Sequence, residues 1–506
     1  MKKKISMVLA ATMLTGMLAA CTKTPTIEPT PSGSTTAPQA TSSQPVTLSM
    51  MVQNHAAQPL QESWPIWQVF EKNANTKLKV SGYQGNWWES IPLIIASNEM
   101  PDIMWMSGYS FVQKFGGGGA LVNYLDHLDK MPNFKKWMET HQVESKLPLS
   151  NDGKLFLTPT SGATSPVGNG IMLYREDIFK KNSLKTPATF DELYTLLKEL
   201  KKLYPDSTPW VWQKGLATLN YISPSWDTRH GYYLNEQTKA WTYGPVEESY
   251  RKMIEYLNKL YTEKLVPTEF LSLDSKQRDD FIANSKGFIF NGYLSNLDNF
   301  NTNVRKTTPE FTMAHMDPPK GPTGKAFHGL TSYYDEGLTV ASTSKNLNAA
   351  LKLIDWLYTD QAKEVLSWGL EGTTYTKTNG QKKFIPDITT TAIAAKNYGI
   401  GTSGTKIWVD QEAGMSLMSP ESKTALSQAV KFAGPSPLLP MFNNAEQEIV
   451  NLKGEAINKY MEENISKFII GSRPLSEWNQ YVEGYQKLGL SDVIKMYTNA
   501  DARVKK

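Results

Sequence analysis

The sequence predicts an α/β fold in two lobes with a mostly helical C-terminal region. Three observations point there. Strand-like apolar runs alternate with amphipathic helical runs from residue 46 onward, the mark of βαβ units and a mainly parallel sheet. About 460 residues follow position 45, which suits two lobes or domains. The last stretch, of about 80 residues, keeps helical spacing almost throughout.

The elements follow in order. Lys2, Lys3 and Lys4 precede an apolar segment from Ile5 to about Ala20, the pattern of a secretory signal peptide over residues 1–20. It is shorter than the roughly 20 residues a membrane span requires and is interrupted by Ser6, Thr12 and Thr15. Leu18-Ala19-Ala20-Cys21 resembles a lipobox, and Cys21 is the only cysteine. Lipidation of Cys21 is therefore expected, with an ordinary cleavage site beside a chance cysteine as the alternative. Residues 22–45 are nearly all Thr, Ser, Pro, Ala and Gln, too poor in apolar surface to offset their chain entropy, and read as a tether.

"VTLSMMV" (46–52) reads as a strand, "WPIWQVFEKNAN" as a helix, and Leu78–Val80 as a second strand. "WWESIPLIIASNEMPDIMWMSG" gives a helix, a Pro-Asp turn and a buried strand at Ile103–Met106. Ligands of such sheets bind beyond the carboxyl ends of the strands. That rule places Asn54, His55 and the stretch from Ser107 through Tyr109 to Ser110 at candidate edges. Thr189 and Glu192 predict a capping box, followed by Leu193, Leu196, Leu197 and Leu200 on one helical face. Residues 250–266 predict a helix, and "GFIFNGY" (287–293) a short strand. Residues 347–369 predict a helix pair with Ala350, Leu353, Ile354 and Leu357 inward, ended by Gly369. Trp478, Tyr481, Val482 and Tyr485 form one stripe near the C-terminus.

Formal net charge is +4, and three of those charges are the leading lysines, so the remainder is almost balanced and a nucleic-acid partner is not expected. Six scattered His without H-E-x-x-H or paired-Cys spacing give no expectation of a metal, and nothing calls for a cofactor. "GPTGKA" (321–326) lacks the glycine spacing and final Ser or Thr of a phosphate loop.

Four stretches carry a family resemblance: "LIIASNEMPDIMWM", "NDGKLFLTPT" with "LYREDIFKKNSLKTPATFDEL", "STSKNLNAALKLIDWLYTDQAKEVLSWGLEGTTYT" and "FIIGSRPLSEWNQYVEGYQKLGLSDVIKMY". In this order they resemble the large lipoprotein, LipO-like branch of the bacterial extracellular solute-binding proteins of family 1. The resemblance implies a two-lobed periplasmic-binding-protein-like fold with a ligand cleft between the lobes. The lobes would be residues 46–165 plus about 335–385, and about 166–334 plus 386–506. It also implies an oligosaccharide ligand, an ABC transporter permease as partner and a lipid anchor at the outer face of the cell membrane. The protein is expected to be a monomer without catalysis. Some relatives carry a calcium loop after the segment matching 186–204; here "KKLYPDSTPW" offers only Asp206, so no calcium site is expected.

A sugar site needs flat aromatic faces and a few placed polar groups. By the resemblance, the "SWGLEGTTYT" loop faces the cleft, with Glu371 accepting from sugar hydroxyls and Tyr375 and Trp368 beside it; a helix cap with a solvated Glu is the alternative. Trp210 and Trp212 at i, i+2 share a side of a strand, so Trp212 is either a sugar platform or core. Trp226, Asp227 and Arg229 sit in a loop-like context, and Tyr293 with Asn291 follows a short strand. Tyr333, Tyr334, Asp335 and Glu336 lie near a lobe crossing, where a solvated turn accounts equally for the acids. At least one of Trp87 and Trp88 reads as core. Arg229 or Lys214 could serve an acidic sugar. A surface-anchored glycoside hydrolase, or a receptor for a peptide or other small solute, stays open beside the capture reading.

Overall fold

β1 (Val46–Val52) opens a computed structural model that describes residues 45–55, 58–150, 152–162, 170–213, 215–329, 335–434 and 442–504. The signal-like segment, Cys21, the tether, Lys214 and Tyr334 lie outside the described residues. Leu48, Met50 and Val52 are buried while Thr47 is exposed, so one face of β1 lies on the core, as period-two alternation requires. The helix Pro65–Ala74 begins on a proline, whose missing N–H is an orphan at that position anyway, and ends at Asn75 with a left-handed backbone. It leads into β2 (Thr76–Gly82), parallel to β1 from Val46↔Thr76 to Val52↔Gly82. The helix Trp87–Ala96 then leads to β3 (Ile103–Ser107), parallel to the other edge of β1.

The next strands form a second sheet and a hairpin. β4 (Ile171–Arg175), β5 (Trp210–Val211), the hairpin β6 (Tyr232–Leu234) and β7 (Trp241–Tyr243), β8 (Ile289–Gly292) and β9 (Met313–His315) give a sheet ordered β5-β8-β4-β9. β10 (Glu336–Val340) returns to the first sheet, antiparallel to β3, completing β10-β3-β1-β2. β11 (Tyr375–Thr378) and β12 (Gln381–Phe384) form a separate hairpin.

Several expectations need correction. Only the first sheet is mainly parallel; in the second, β4 runs antiparallel to both neighbours and only β5 and β8 are parallel. More than a hundred residues separate β4 from β8, so no short crossover constrains their direction. The Trp210–Trp212 strand stops at Val211, and within the loop-like stretch 220–230 the residues up to Trp226 form helical turns, Leu219–Ile222 and Ser223–Trp226, while residues 227–230 are a loop. At the helix Phe190–Leu203, Thr189 Oγ1 accepts from Glu192 N at 3.2 Å, but the Glu192 carboxylate accepts from Ala188 N at 2.7 Å, one residue earlier than a capping box uses.

Each sheet has its own core, and we call the two units lobes. The first core joins Leu48, Met50, Phe70, Ile103 and Trp105 to Leu338, Leu353 and Ile354 from much later in the chain. The second sheet is covered on both faces: Met172 and Ile289 point into one cluster, Leu173 and Phe290 into another. The predicted C-terminal helices close the larger of these clusters. Asn443 and Glu446 form a reciprocal capping box at the start of Asn444–Ile470, and Ile457, Ile465 and Phe468 pack with Met253, Ile254 and Leu257. Trp478, Tyr481 and Tyr485 complete that cluster. Trp368, Tyr375, Phe384, Ile388 and Ile400 form a smaller cluster of their own.

Candidate functional site

The carboxyl edge of the first sheet is built by the turns after β1, β2 and β3. Asn54 Oδ1 accepts from Leu60 N at 3.0 Å and folds the turn after β1. A Cβ at Gly82 would lie 2.6 Å from Asn54 Cβ, so only glycine lets these two turns approach. After β2, Asn86 caps the next helix by accepting from Trp88 N at 3.1 Å. That cap sets two indoles at the edge. Trp87 stands edge-on to Trp105 at 5.0 Å, and Trp88 stacks on Trp87 at 4.1 Å while meeting Phe111 at 4.4 Å. Trp88 is nevertheless 44 % exposed. Held from behind by rings, it presents a fixed apolar face to solvent.

Gly108 follows β3 with φ +86°, and a Cβ there would sit 2.7 Å from Trp88 Cη2. Gly108 N donates to Asp335 O at 2.8 Å, and Ser107 Oγ donates to Asp335 Oδ1 at 3.3 Å. The Asp335 side chain is open to solvent on one side. Desolvation by its protein surroundings pushes its carboxyl above the usual range, against the Ser107 hydrogen bond. An aromatic face and a carboxylate acceptor thus share one sheet edge. Tyr109, the first residue of the next helix, is half-buried against the first core.

A cavity of about 450 Å³ lies beside this edge. Gln58, Gly162, Lys406 and Asp410 supply its polar wall, and Phe384, Ile400, Val409 and Met415 part of its apolar one. Lys406 is also 3.8 Å from Glu336, the residue after Asp335, and Ser403 Oγ donates to Gln53 Oε1 at 2.9 Å. These contacts tie the cavity wall to the sheet edge. The size falls within the usual range for small-molecule sites.

Of the residues singled out by sequence, Trp368 and Tyr375 stand behind this wall. Trp368 is 1 % exposed, stacks on Phe384 at 4.9 Å and donates Nε1–H to Asp410 Oδ2 at 3.1 Å. Tyr375 is buried and donates its hydroxyl to Glu364, which also meets Lys382 at 3.1 Å. Glu371 is exposed in the turn closed by Gly372 N donating to Tyr375 O at 2.8 Å.

The second-lobe candidates are mostly enclosed. Trp212 is 1 % exposed, edge-on to both Trp210 and Phe270 at 5.4 and 5.6 Å. Trp226 is buried between Phe190 and Tyr256 at 5.1 and 5.5 Å. Asp227, in a left-handed conformation, is paired with Lys325. Arg229 donates to Thr228 O at 2.7 Å and lies over Tyr233, where burial pulls its pKa below the ordinary value. Asn291 is a strand clamp, donating to Gly170 O at 3.1 Å and accepting from Trp210 Nε1 at 3.2 Å. Tyr293 remains exposed at the end of β8.

Trp88, Ser107 and Asp335 meet at the sheet edge, and Lys406 and Asp410 line the cavity beside it. The carboxyl-end rule points at Ser107, but nothing local separates the exposed Trp88 from the covered Trp87. Among the described residues no group of three or more His, Cys, Asp or Glu could hold a metal, and no helix is long and apolar enough to cross a membrane.

Comparison with known proteins adds the family. The model of the bacterial extracellular solute-binding proteins matches residues 54–364. The polygalacturonan/rhamnogalacturonan-binding protein YtcQ of Bacillus subtilis is 22 % identical over 454 residues, covering 86 % of this chain and 87 % of that protein. The fructooligosaccharide ABC transporter substrate-binding protein FusA of Streptococcus pneumoniae is 22 % identical over 481 residues, covering 87 % of each. A crystal structure of the alginate-binding protein AlgQ2 without calcium ion superposes with a TM-score of 0.77 at 21 % identity, over 90 % of this chain and 98 % of that one.

Proposed function

This chain belongs to the bacterial extracellular solute-binding proteins, and on that premise we propose that it captures an oligosaccharide outside the cell and passes it to an ABC permease. Relatives named for polygalacturonan, rhamnogalacturonan and fructooligosaccharide binding support the ligand class. The observation that carries the reading to this chain is the exposed face of Trp88, fixed over Gly108 beside the Asp335 carboxylate. A pyranose or furanose offers C–H groups to an indole face and hydroxyl donors to a carboxylate, so this pair suits both sides of a sugar ring.

In this reading the lobes are residues 46–165 with about 335–385, and about 166–334 with 386–506. The cores support that division through Leu157 and from Leu338, while Ile407 packs with the first core. Asn54, Tyr109, Tyr293 and Glu371 line the outer approach, and Trp368, Tyr375, Trp212 and Trp226 stiffen the walls from behind. Closure of the lobes reports occupancy to the permease because the ligand holds the closed form more tightly than the open one. Lipidation of Cys21 and the tether of residues 22–45 keep the loaded protein beside its permease at high local concentration.

The test is thermal melting of the purified protein and of its Trp88→Ala variant against an oligosaccharide panel. A bound sugar at a hundred times its Kd stabilises by about 2.7 kcal/mol, enough to move the melting temperature visibly. The expected result is a shift for the parent protein that largely disappears in the variant. Equal shifts in both would remove Trp88 from the site, and no shift with any sugar would remove the function.

A further inference from the structure

We infer that the captured oligosaccharide carries no carboxylate: the site takes a neutral sugar chain and rejects a uronic one. This rests on the capture reading and concerns the charges around the same surface. Asp335, Glu336, Asp410 and Lys406 stand at the described sheet edge and cavity, with Glu89 in the first turn of the helix that carries Trp88. Asp335 accepts from Ser107 Oγ, and among the described residues no cation lies within ion-pair distance of it. Glu336, next to it, and Lys406 already face each other at 3.8 Å. Asp410 is held in the cavity wall by the Trp368 indole N–H at 3.1 Å and accepts from Glu412 N at 3.0 Å.

Of the two cations that sequence offered for an acidic ligand, Lys214 lies outside the described residues and Arg229 is engaged elsewhere. Arg229 is folded over Tyr233 and bound to Thr228 O, and its side chain is desolvated. Lys325 is paired with Asp227. The surface left for a ligand is therefore an indole face bordered by acceptors. Hydroxyls are donors and satisfy such acceptors with charge-assisted hydrogen bonds. A uronate would instead bring acceptor oxygens and negative charge against Asp335 and Asp410, where like charges repel and where, among the described residues, the cavity-lining cation Lys406 already faces Glu336. A carboxylate partly desolvated before the ligand arrives is a poor neighbour for a second one.

Calorimetric titration of the purified protein tests this with nystose, maltotetraose and xylotetraose as neutral probes, and tetragalacturonate and a mannuronate tetramer as acidic ones. The expected result is a neutral tetramer binding at least about a hundredfold more tightly than either uronate at physiological salt. Asp335→Asn should weaken that neutral sugar about tenfold, since a charged acceptor becomes a neutral one, with the unliganded melting temperature unchanged. A uronate that binds as tightly as the best neutral tetramer overturns the inference and leaves capture standing. So does an Asp335→Asn variant that binds the neutral sugar unchanged. Binding by none of the probes overturns capture and the inference together.

Discussion

Asp102 follows Pro101 at the entry to β3, and its carboxylate accepts from Ser49 N and Oγ at 2.8 Å and from Ser344 Oγ at 2.6 Å. Burial alone would raise its pKa, but these hydrogen bonds, with one from Asn346, outweigh it and hold the carboxyl below the usual range. One side chain thereby joins β1, β3 and the turn before the helix Leu347–Trp356. Asp102→Ala should cost about 3 kcal/mol in denaturant unfolding, because it leaves buried donors unpaired. Since the folded pKa is depressed, that contribution is complete above the unfolded value of about 3.9 and disappears as pH falls through the folded one. Two tryptophans separate fold from function at the same scale. Trp212→Ala should lower stability by about 3–5 kcal/mol, as an emptied core site does. Trp88→Ala should leave the melting temperature nearly unchanged and weaken sugar binding by about 2 kcal/mol, roughly thirtyfold. Sequence could not distinguish them: Trp212 is enclosed by Phe270, far along the chain, and Trp88 is left open by the fold around it. Asp102 was legible as a Pro-Asp turn but not as a hub, because Ser344 is 242 residues away.

A strand of the second sheet and the stretch that follows it meet at a pair of imidazoles. His315 ends β9, His328 lies on the stretch leading to β10, and their Nε2 atoms are 2.8 Å apart. One ring donates and the other accepts, so the accepting ring must be neutral; protonating its Nε2 sets two N–H groups against each other. His328 N also donates to Phe432 O at 2.9 Å. Burial lowers both pKa values, His328 to about 3, where the neighbouring His315 adds to the effect; Asp317, 3.7 Å from His315 Nδ1, and Gln428 act in the opposite sense on His315. Half-buried His230, its ring hydrogen-bonded to the Tyr250 hydroxyl at 2.6 Å, is lowered by desolvation to about 4. The unfolded chain binds these protons at about 6.5, so stability is complete above that pH and falls as pH drops toward the folded values. Unfolding at pH 5 and pH 7 should differ by about 2 kcal/mol for each of His230 and His328, and His328→Phe should reduce the difference. Equal stability at the two pH values would mean that the imidazoles are not held neutral. At this scale the sequence was readable wherever neighbouring elements pair, as in β1, β2 and β3. It was not readable in the second sheet, whose partners come from distant parts of the chain, nor at the imidazole pair, which only the fold brings together.

The whole molecule is two sheet-centred lobes whose cores each draw on discontinuous stretches of chain. That discontinuity comes from the repeated passage between lobes, and it is why length and alternation revealed the fold class while the pairing of β10 with β3 stayed hidden. In the proposed function the lipid on Cys21 holds the protein at the membrane. Cys21→Ser should release the protein from the membrane fraction into the medium, with sugar affinity unchanged, because the proposed site lies wholly beyond residue 46. The proposed function is capture without chemistry. Its most direct measurement is a calorimetric titration with a neutral tetrasaccharide, followed by chromatography of the sugar recovered after long incubation with stoichiometric protein. One sugar bound per protein and recovered intact is the predicted result; shortened products, or heat that continues after saturation, would contradict it.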